Sequence, residues 1–334
     1  MFFIFGTNNM CLFFKRGKIK MQCIDFKFRG SDGKEIYATK YICNAPIGVV
    51  QIAHGMTEHR KRYDEFAREL CNAGYNVYIN DHRGHGETAG SDKELGFFAA
   101  DNGWDIVLSD MLILTERIKE DYSELPIYLF GHSMGSFLAR TYITRYGDQI
   151  KGTIICGTGQ LNLGLINTVI PLAKLESKIR GNRSKNSAIE KILFMFHNNG
   201  IKPKRTKYDW LSRDSKVVDE YINDKYCGFS CTTSFYKDLL NGMKYIADIE
   251  NYKTIPKDLS MLLISGEKDP VGNIGLGIEK IVENYKALRL KKVDYRIYSE
   301  CRHEILNELN KEKVYEDVIK WLRTNSQEQA VKIP

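Results

Sequence analysis

Nowhere in the 334 residues does an apolar run reach the roughly 18–20 residues that a membrane-spanning helix needs. The start, Met1-Phe2-Phe3-Ile4-Phe5, is apolar, but Asn8 and Asn9 interrupt it. Lys15, Arg16 and Lys18 then follow a second apolar patch, Cys11–Phe14. A secretion signal has the opposite order, basic residues first. Residues 1–21 are therefore expected to be a tail, disordered or loosely touching a membrane, with Met21 a candidate natural start. The eight cysteines are scattered through apolar segments with no secretion signal ahead of them. Buried, reduced thiols in a cytoplasmic protein are the expectation. Cys227 and Cys231 are four residues apart, but no histidine lies close in sequence to complete a zinc set, so no metal is expected. No basic–aromatic repeat points to nucleic acid, and the chain has no internal repeat and no low-complexity segment. The net charge of +7 is mild. Residues 160–250 carry 15 Lys and Arg against 10 Asp and Glu, a balance that fits a solvated surface or a transient contact with anionic lipid.

What is present centres on Pro126-Ile127-Tyr128-Leu129-Phe130-Gly131-His132-Ser133-Met134-Gly135-Ser136. A short β-type apolar run ends in G-x-S-x-G, and a helical pattern follows at once. A strand–turn–helix junction of this kind holds its serine at a strained φ/ψ with the hydroxyl exposed. Gly131 and Gly135 let strand and helix pass close together. A serine hydroxyl is a poor nucleophile at neutral pH. It needs a base, a group that orients the base, and donors for an oxyanion.

Around this turn the chain alternates strands and helices. Gln22 to Phe28 and Glu35 to Tyr41 have period-two patterns on either side of Gly30-Ser31-Asp32-Gly33-Lys34, which makes a β-hairpin. Strands are predicted at 48–53, 75–80, 151–156, 259–265 and 293–298, besides the one leading into Ser133, and 48–53 is continuously apolar, as a buried strand should be. Helices are predicted near 60–73, 102–122, 273–289 and 304–323. The alternation implies an α/β fold with a mostly parallel sheet covered on both faces. It stops at Gly157, and residues 160–250 look helical. The expected organisation is a core of 22–159 and 251–324, a helical cap of 160–250 inserted after the sixth strand, and a tail at 325–334. An insertion at the carboxyl ends of the strands lies where ligands bind in open α/β sheets.

With Ser133 as nucleophile, the acid and base should follow in the order Ser, Asp/Glu, His on loops after later strands. Asp269, in Ser265-Gly266-Glu267-Lys268-Asp269-Pro270, is the favoured acid and Glu267 the alternative. His303 is the one histidine after Asp269. The oxyanion donors are expected to be the backbone N–H groups of Met134 and Met56, with His54 and Gly55 shaping the second loop. His82, Arg83 and His85 are expected to tie neighbouring loops together.

At this point the chain resembles the α/β-hydrolase fold. The similar branch holds monoacylglycerol lipases, bacterial lysophospholipase-like proteins and S33 serine aminopeptidases. The resemblance rests on His54-Gly55-Met56-Thr57-Glu58-His59, Asp81-His82-Arg83-Gly84-His85-Gly86, Gly131 to Gly135, Gly266 to Pro270 and Arg302 to Glu308. Trp210-Leu211-Ser212-Arg213-Asp214 is similar to the lysophospholipase-like cap. The resemblance implies Ser133 as nucleophile, Asp269 as acid, His303 as base and Met56 and Met134 as oxyanion donors. It places Glu58 and Arg62 near the polar head of a glycerol ester. Glu300 stands where similar proteins usually have glycine.

The expected activity is hydrolysis of a carboxylic ester of monoacylglycerol or lysophospholipid type through an acyl-enzyme, with no cofactor. The cap segments Leu193-Phe194-Met195-Phe196 and Phe235, Leu239 and Leu240 are expected either to line an acyl tunnel or to form the cap's own core. Two rival readings are an S33-type aminopeptidase and a non-catalytic ligand-binding protein on the same fold. The first would need acidic groups in the cap to grip an α-ammonium, and the cap is net basic.

Overall fold

The computed structural model describes residues 4–6, 10–15, 18–159, 162–195, 197–272 and 276–327. Ten strands form one sheet: β1 (Ile4–Gly6), β2 (Met10–Lys15), β3 (Lys18–Arg29), β4 (Glu35–Cys43), β5 (Gly48–Ala53), β6 (Tyr75–Asn80), β7 (Ile127–His132), β8 (Gly152–Cys156), β9 (Ser260–Gly266) and β10 (Lys292–Tyr298). Their spatial order is β1-β2-β3-β4-β6-β5-β7-β8-β9-β10. From β6 to β10 every neighbouring pair is parallel. The first four strands extend the sheet as an antiparallel edge.

The helices of the described residues are α1 (Asp64–Asn72), α2 (Gly103–Asp121), α3 (Met134–Tyr146), α4 (Leu163–Arg180), α5 (Ala188–Phe194), α6 (Ser215–Asn223), α7 (Thr233–Ala247), α8 (Leu276–Ala287) and α9 (Lys311–Gln327). Strands β5 to β9 are buried at every position, because helices cover both faces. On one face Phe66 and Leu70 of α1 meet Val314, Val318 and Leu322 of α9 over Ile52 and Phe130. On the other, Leu108 and Met111 of α2, Leu138 and Tyr142 of α3 and Ile281 of α8 pack over Leu129 and Ile155. Each such side chain contributes about 1.5–3 kcal/mol on leaving water. The architecture is the α/β-hydrolase fold.

The expected hairpin forms, with Phe28 opposite Ile36 and Gln22 opposite Ile42. The N-terminal expectation is corrected. The strand that was to begin after Met21 starts at Lys18, and β1 and β2 precede it in place of a tail. What reads as the sixth strand is therefore β8. The physical reason is pairing: β2 and β3 form an antiparallel ladder, Leu12 opposite Gln22 and Met10 opposite Ile24, which satisfies backbone groups that an isolated tail would leave to water. The closing helix also differs. It begins at Lys311, after a short 3₁₀ turn at Ile305–Asn307. Glu304 and Glu308 turn inward, to Arg62 and Arg213, instead of facing water along a helix. At the other end α9 reaches Gln327, into the expected tail of 325–334, and residues 328–334 lie outside the described ones.

Helices α4 to α7 occupy the insertion between β8 and β9. They do not form a separate layer. Phe235, Leu240 and Ile246 of α7 are buried in the main core, and Gly242 packs directly on the Trp104 ring of α2. The cap is thus fastened at its C-terminal side. Among the described residues no helix is long and apolar enough to cross a membrane.

Candidate active site

Strand β7 delivers Ser133 to the carboxyl edge of the sheet. The serine has φ 53° and ψ −119°, a conformation that side chains rarely adopt. It persists because the turn is clamped: Ser133 N–H donates to the Cys156 carbonyl at 3.0 Å, and Ser136 N–H to the Ser133 carbonyl at 2.8 Å. Glycine is required on both sides. A Cβ on Gly131 would strike the Gly135 carbonyl, and a Cβ on Gly135 would strike the Ala53 carbonyl oxygen.

The loop after β9 brings Asp269 to this edge, and the loop after β10 brings His303. The imidazole Nδ1–H donates to Asp269 Oδ1 at 2.9 Å, with both side chains buried. Val271 N–H donates to the same oxygen at 2.9 Å, and Ser265 Oγ lies 3.3 Å from Oδ2. Burial alone would raise the Asp269 carboxyl, but the His303 imidazole and these donors hold it below its usual value. Glu267, the alternative acid, instead accepts from Ser299 Oγ and Glu300 N–H. His303 Nε2 is buried and has no protein partner. His303 and Ser133 line the same cavity of about 600 Å³, together with Met56 and Met134. Two of the shared walls are apolar helix faces, Leu193 and Phe194 of α5 and Leu239 and Met243 of α7.

The two cap segments named in the sequence divide between lining and core. Leu193, Phe194 and Leu239 face the cavity, Phe235 and Leu240 are core, Met195 is exposed, and Phe196 lies outside the described residues.

Glu58 also lines the cavity, but Arg62 does not. Both belong to a buried polar network behind it. Arg62 holds Glu304 with two bonds of 2.7 Å and Glu58 with a third. Glu58 Oε1 accepts from Gly55 N–H at 2.5 Å and from Tyr63 OH at 2.8 Å, and lies 3.3 Å from His132 Nδ1. Burial opposes every charge here, yet the mutual contacts hold Glu58 and Glu304 below, and Arg62 above, their ordinary values. Burial likewise opposes a proton on His132, but Glu58 raises its pKa. The network therefore fixes Gly55, next to Met56, rather than presenting Arg62 to a ligand.

The loop of His82, Arg83 and His85 does tie its neighbours together. Arg83 forks onto Asp110 and Asp32, and His82 N–H donates to His54 Nε2 at 2.9 Å.

Sequence reasoning missed what holds the base loop. Trp210 and Leu211 of the cap accept from the His303 and Glu304 N–H groups at 3.3 and 2.7 Å. Arg302 returns two bonds to the carbonyls of Asp209 and Ser212, and Glu308 grips Arg213. The available signal was the co-occurrence of Trp210-Leu211-Ser212-Arg213-Asp214 with Arg302 to Glu308. Nothing in either segment alone says that they meet. His132 was missed as well, because a residue inside G-x-S-x-G draws notice only for its serine.

Known proteins resemble this chain in sequence and in fold. The family model for serine aminopeptidase, S33, matches residues 44–310. The monoacylglycerol lipase of Mycolicibacterium smegmatis is 25% identical over 281 residues, which cover 83% of this chain and 88% of that one. The monoglyceride lipase of Rattus norvegicus is 27% identical over 273 residues, 79% of this chain and 82% of its own. Among solved structures, a highly thermostable carboxyl esterase from Bacillus coagulans, in complex with glycerol, superposes with a TM-score of 0.84 at 27% identity, covering 92% of this chain and all of its own.

Proposed function

The chain belongs to the serine aminopeptidase S33 family of α/β-hydrolases, and from that premise we propose that it hydrolyses monoacylglycerols or lysophospholipids through Ser133, His303 and Asp269. At the coarser level it is a carboxylic ester hydrolase of monoglyceride lipase type. The observation that carries the finer reading is the shared cavity: a strained serine, a histidine whose Nδ1 is bound to a buried carboxylate, and an apolar channel meet in one space.

In this mechanism Ser133 Oγ attacks the ester carbonyl carbon and passes its proton to His303 Nε2. Asp269 keeps the other ring nitrogen protonated and so selects the accepting tautomer. The N–H groups of Met56 and Met134 receive the oxyanion, each worth about 3–4 kcal/mol in the transition state. His303 then protonates the leaving alcohol, and water attacks the acyl-enzyme with the same base assisting. The chemistry needs no cofactor.

Leu165, Leu193, Phe194, Leu239 and Met243 supply the wall for a single acyl chain. The carboxylates that line the cavity are engaged, Glu58 and Glu304 by Arg62 and Glu190 by Ser230, which leaves little to grip an α-ammonium and disfavours aminopeptidase activity. Helix α4 exposes Leu165, Leu172, Leu175 and Ile179 at the cap surface, a set suited to transient contact with the lipid surface from which such a substrate is drawn.

The test is a panel on purified protein: p-nitrophenyl esters, monoacylglycerols and lysophospholipids against an aminoacyl anilide, with a fluorophosphonate label. Ester turnover and labelling that both vanish in Ser133→Ala are expected. Turnover of the anilide alone would overturn the lipid reading, and failure to label would point to a binding protein.

A further inference from the structure

Among the described residues, one group of three side chains brings metal-type ligand atoms together: His59, Asp224 and Cys227. One nitrogen, one carboxylate oxygen and one sulfur all lie within 4.8 Å of one another. His59 comes from the loop after β5, and the other two from the cap just beyond α6. The sequence argument against a metal at Cys227 looked for a histidine nearby in the chain. The fold supplies one from the loop after β5, at the same edge of the sheet.

We propose that these three side chains bind a single thiophilic divalent cation, of which Zn²⁺ is the type, and that the ion clamps the cap to the oxyanion loop. The donor set is the mixture of sulfur, imidazole and carboxylate that zinc takes, with a fourth position left for water. Tetrahedral bonds of about 2.0–2.3 Å would place the nitrogen and oxygen about 3.4 Å apart and the nitrogen and sulfur about 3.6 Å apart. His59 Nε2 and Asp224 Oδ2 are now 2.8 Å apart, in hydrogen-bond contact, so the ion needs only a small parting of these two and a small approach of the thiol.

Charge also fits. A thiolate and a carboxylate neutralise a dication, leaving no net charge in a place where His59 and Cys227 are buried. Burial holds the free Cys227 thiol above its ordinary pKa, and a coordinating cation removes that proton outright. The supporting groups are already set. Tyr226 N–H donates to Asp224 Oδ1 at 2.8 Å, aiming the second oxygen at His59. Gly228 N–H donates to the Thr57 carbonyl at 3.0 Å, and Tyr221 OH donates to the same carbonyl at 3.0 Å. The junction is therefore ordered before any ion arrives. An ion there would link His59, next to the residue that fixes Gly55, to the cap at Asp224 and Cys227.

The test titrates Co²⁺ into the chelator-treated, reduced full chain carrying Ser133→Ala, so that turnover plays no part. One equivalent should give a thiolate-to-cobalt charge-transfer absorption, displaced by Zn²⁺. Losing a ligand should weaken binding by more than the 10–100-fold typical of a lost supporting partner, so Cys227→Ser and His59→Gln should each cost at least about 100-fold. Cys231→Ser, which removes a buried cysteine outside the group, should leave the band unchanged. Zn²⁺ should also raise the melting temperature of the parent but not of Cys227→Ser. Absence of the band in the parent, or its survival in Cys227→Ser, overturns the proposal. Because Cys227→Ser is nearly isosteric, its near-ultraviolet circular dichroism shows whether it folds. A misfolded Cys227→Ser passes the decision to His59→Gln.

Discussion

Acidification should unfold this protein through three buried imidazoles, and one substitution can read a single one of them. His54, His82 and His85 stack with ring centroids 4.2 and 5.2 Å from His54. His54 is held neutral by its bonds: Nδ1–H donates to the Gly55 carbonyl at 2.7 Å while Nε2 accepts from His82 N–H. A second proton would set two N–H groups against each other. Burial, aided by the neighbouring imidazoles, takes His82 down to about 3, and burial takes His85 down to about 4. A depressed histidine stabilises the fold fully above its unfolded value of about 6.5 and loses that stability as pH falls toward its folded value. For His85, between pH 7.5 and 5.5, the linkage gives a loss of about 1.3 kcal/mol, since the unfolded chain takes the proton and the folded chain does not. His85→Gln cannot take it. The variant will be less stable at both pH values, because His85 packs against Phe98, Phe229 and Phe235. It should nevertheless lose about 1.3 kcal/mol less than the parent on acidification. Urea unfolding followed by tryptophan fluorescence at the two pH values measures the difference. An identical pH dependence in parent and variant would refute a neutral, buried His85.

Asp238 should act in the opposite direction. Burial lifts it to about 7, and Oδ2 has no partner, so the fold favours the protonated acid and loses stability as pH rises through 7. Between pH 5 and pH 8 Asp238→Asn should gain about 2–3 kcal/mol on the parent, read by the same urea curves. Glu300 has φ 61°, in the left-handed region that favours glycine. Glu300→Gly should gain about 0.5–1 kcal/mol, less than the full left-handed penalty because glycine adds entropy to the unfolded chain. Gly135→Ala should leave no soluble folded enzyme, since its Cβ meets the backbone carbonyls of Ala53 and His54 and not a yielding side chain. Asp269→Asn should retain the fold by circular dichroism and lower kcat by about 10³–10⁴, the cost of presenting the wrong histidine tautomer.

The sheet was legible because its buried strands are continuous apolar runs, and those runs end in motif-bearing loops. Chain order and strand ends single out Ser133, Asp269 and His303 in the sequence, and the fold bonds His303 to Asp269 and sets His303 and Ser133 in one cavity. What could not be read depends on side chains that meet across the fold. Arg62 looks like a ligand-binding cation, yet its charge is spent on Glu58 and Glu304, and only Arg62–Glu58 is a local pair. The N-terminal strands were misread because composition reports whether a segment can stand alone, and β2 does not stand alone: it pairs with β3. The start of α9 was misplaced because Glu304 and Glu308 suit a solvated helix by propensity, while the buried Arg62 and the half-buried Arg213 claim them.

The cap's connections bear on how a substrate enters. Its segment from Trp210 to Gly228 bonds to the loops that carry His303 and Met56, through Trp210 and Leu211 to His303 and Glu304, and through Gly228 and Tyr221 to Thr57. Each of these bonds is worth about 0.5–1.5 kcal/mol net, and breaking them together would release the loops that carry His303 and Met56. A cap that swung open as one body would therefore dismantle the site it admits substrate to. Helices α4 and α5 have no such ties to those loops among the described bonds, and they carry the exposed Leu172, Leu175, Ile179 and Met195. Any opening that keeps the geometry of Ser133 and His303 intact must therefore leave the 210–228 segment in place.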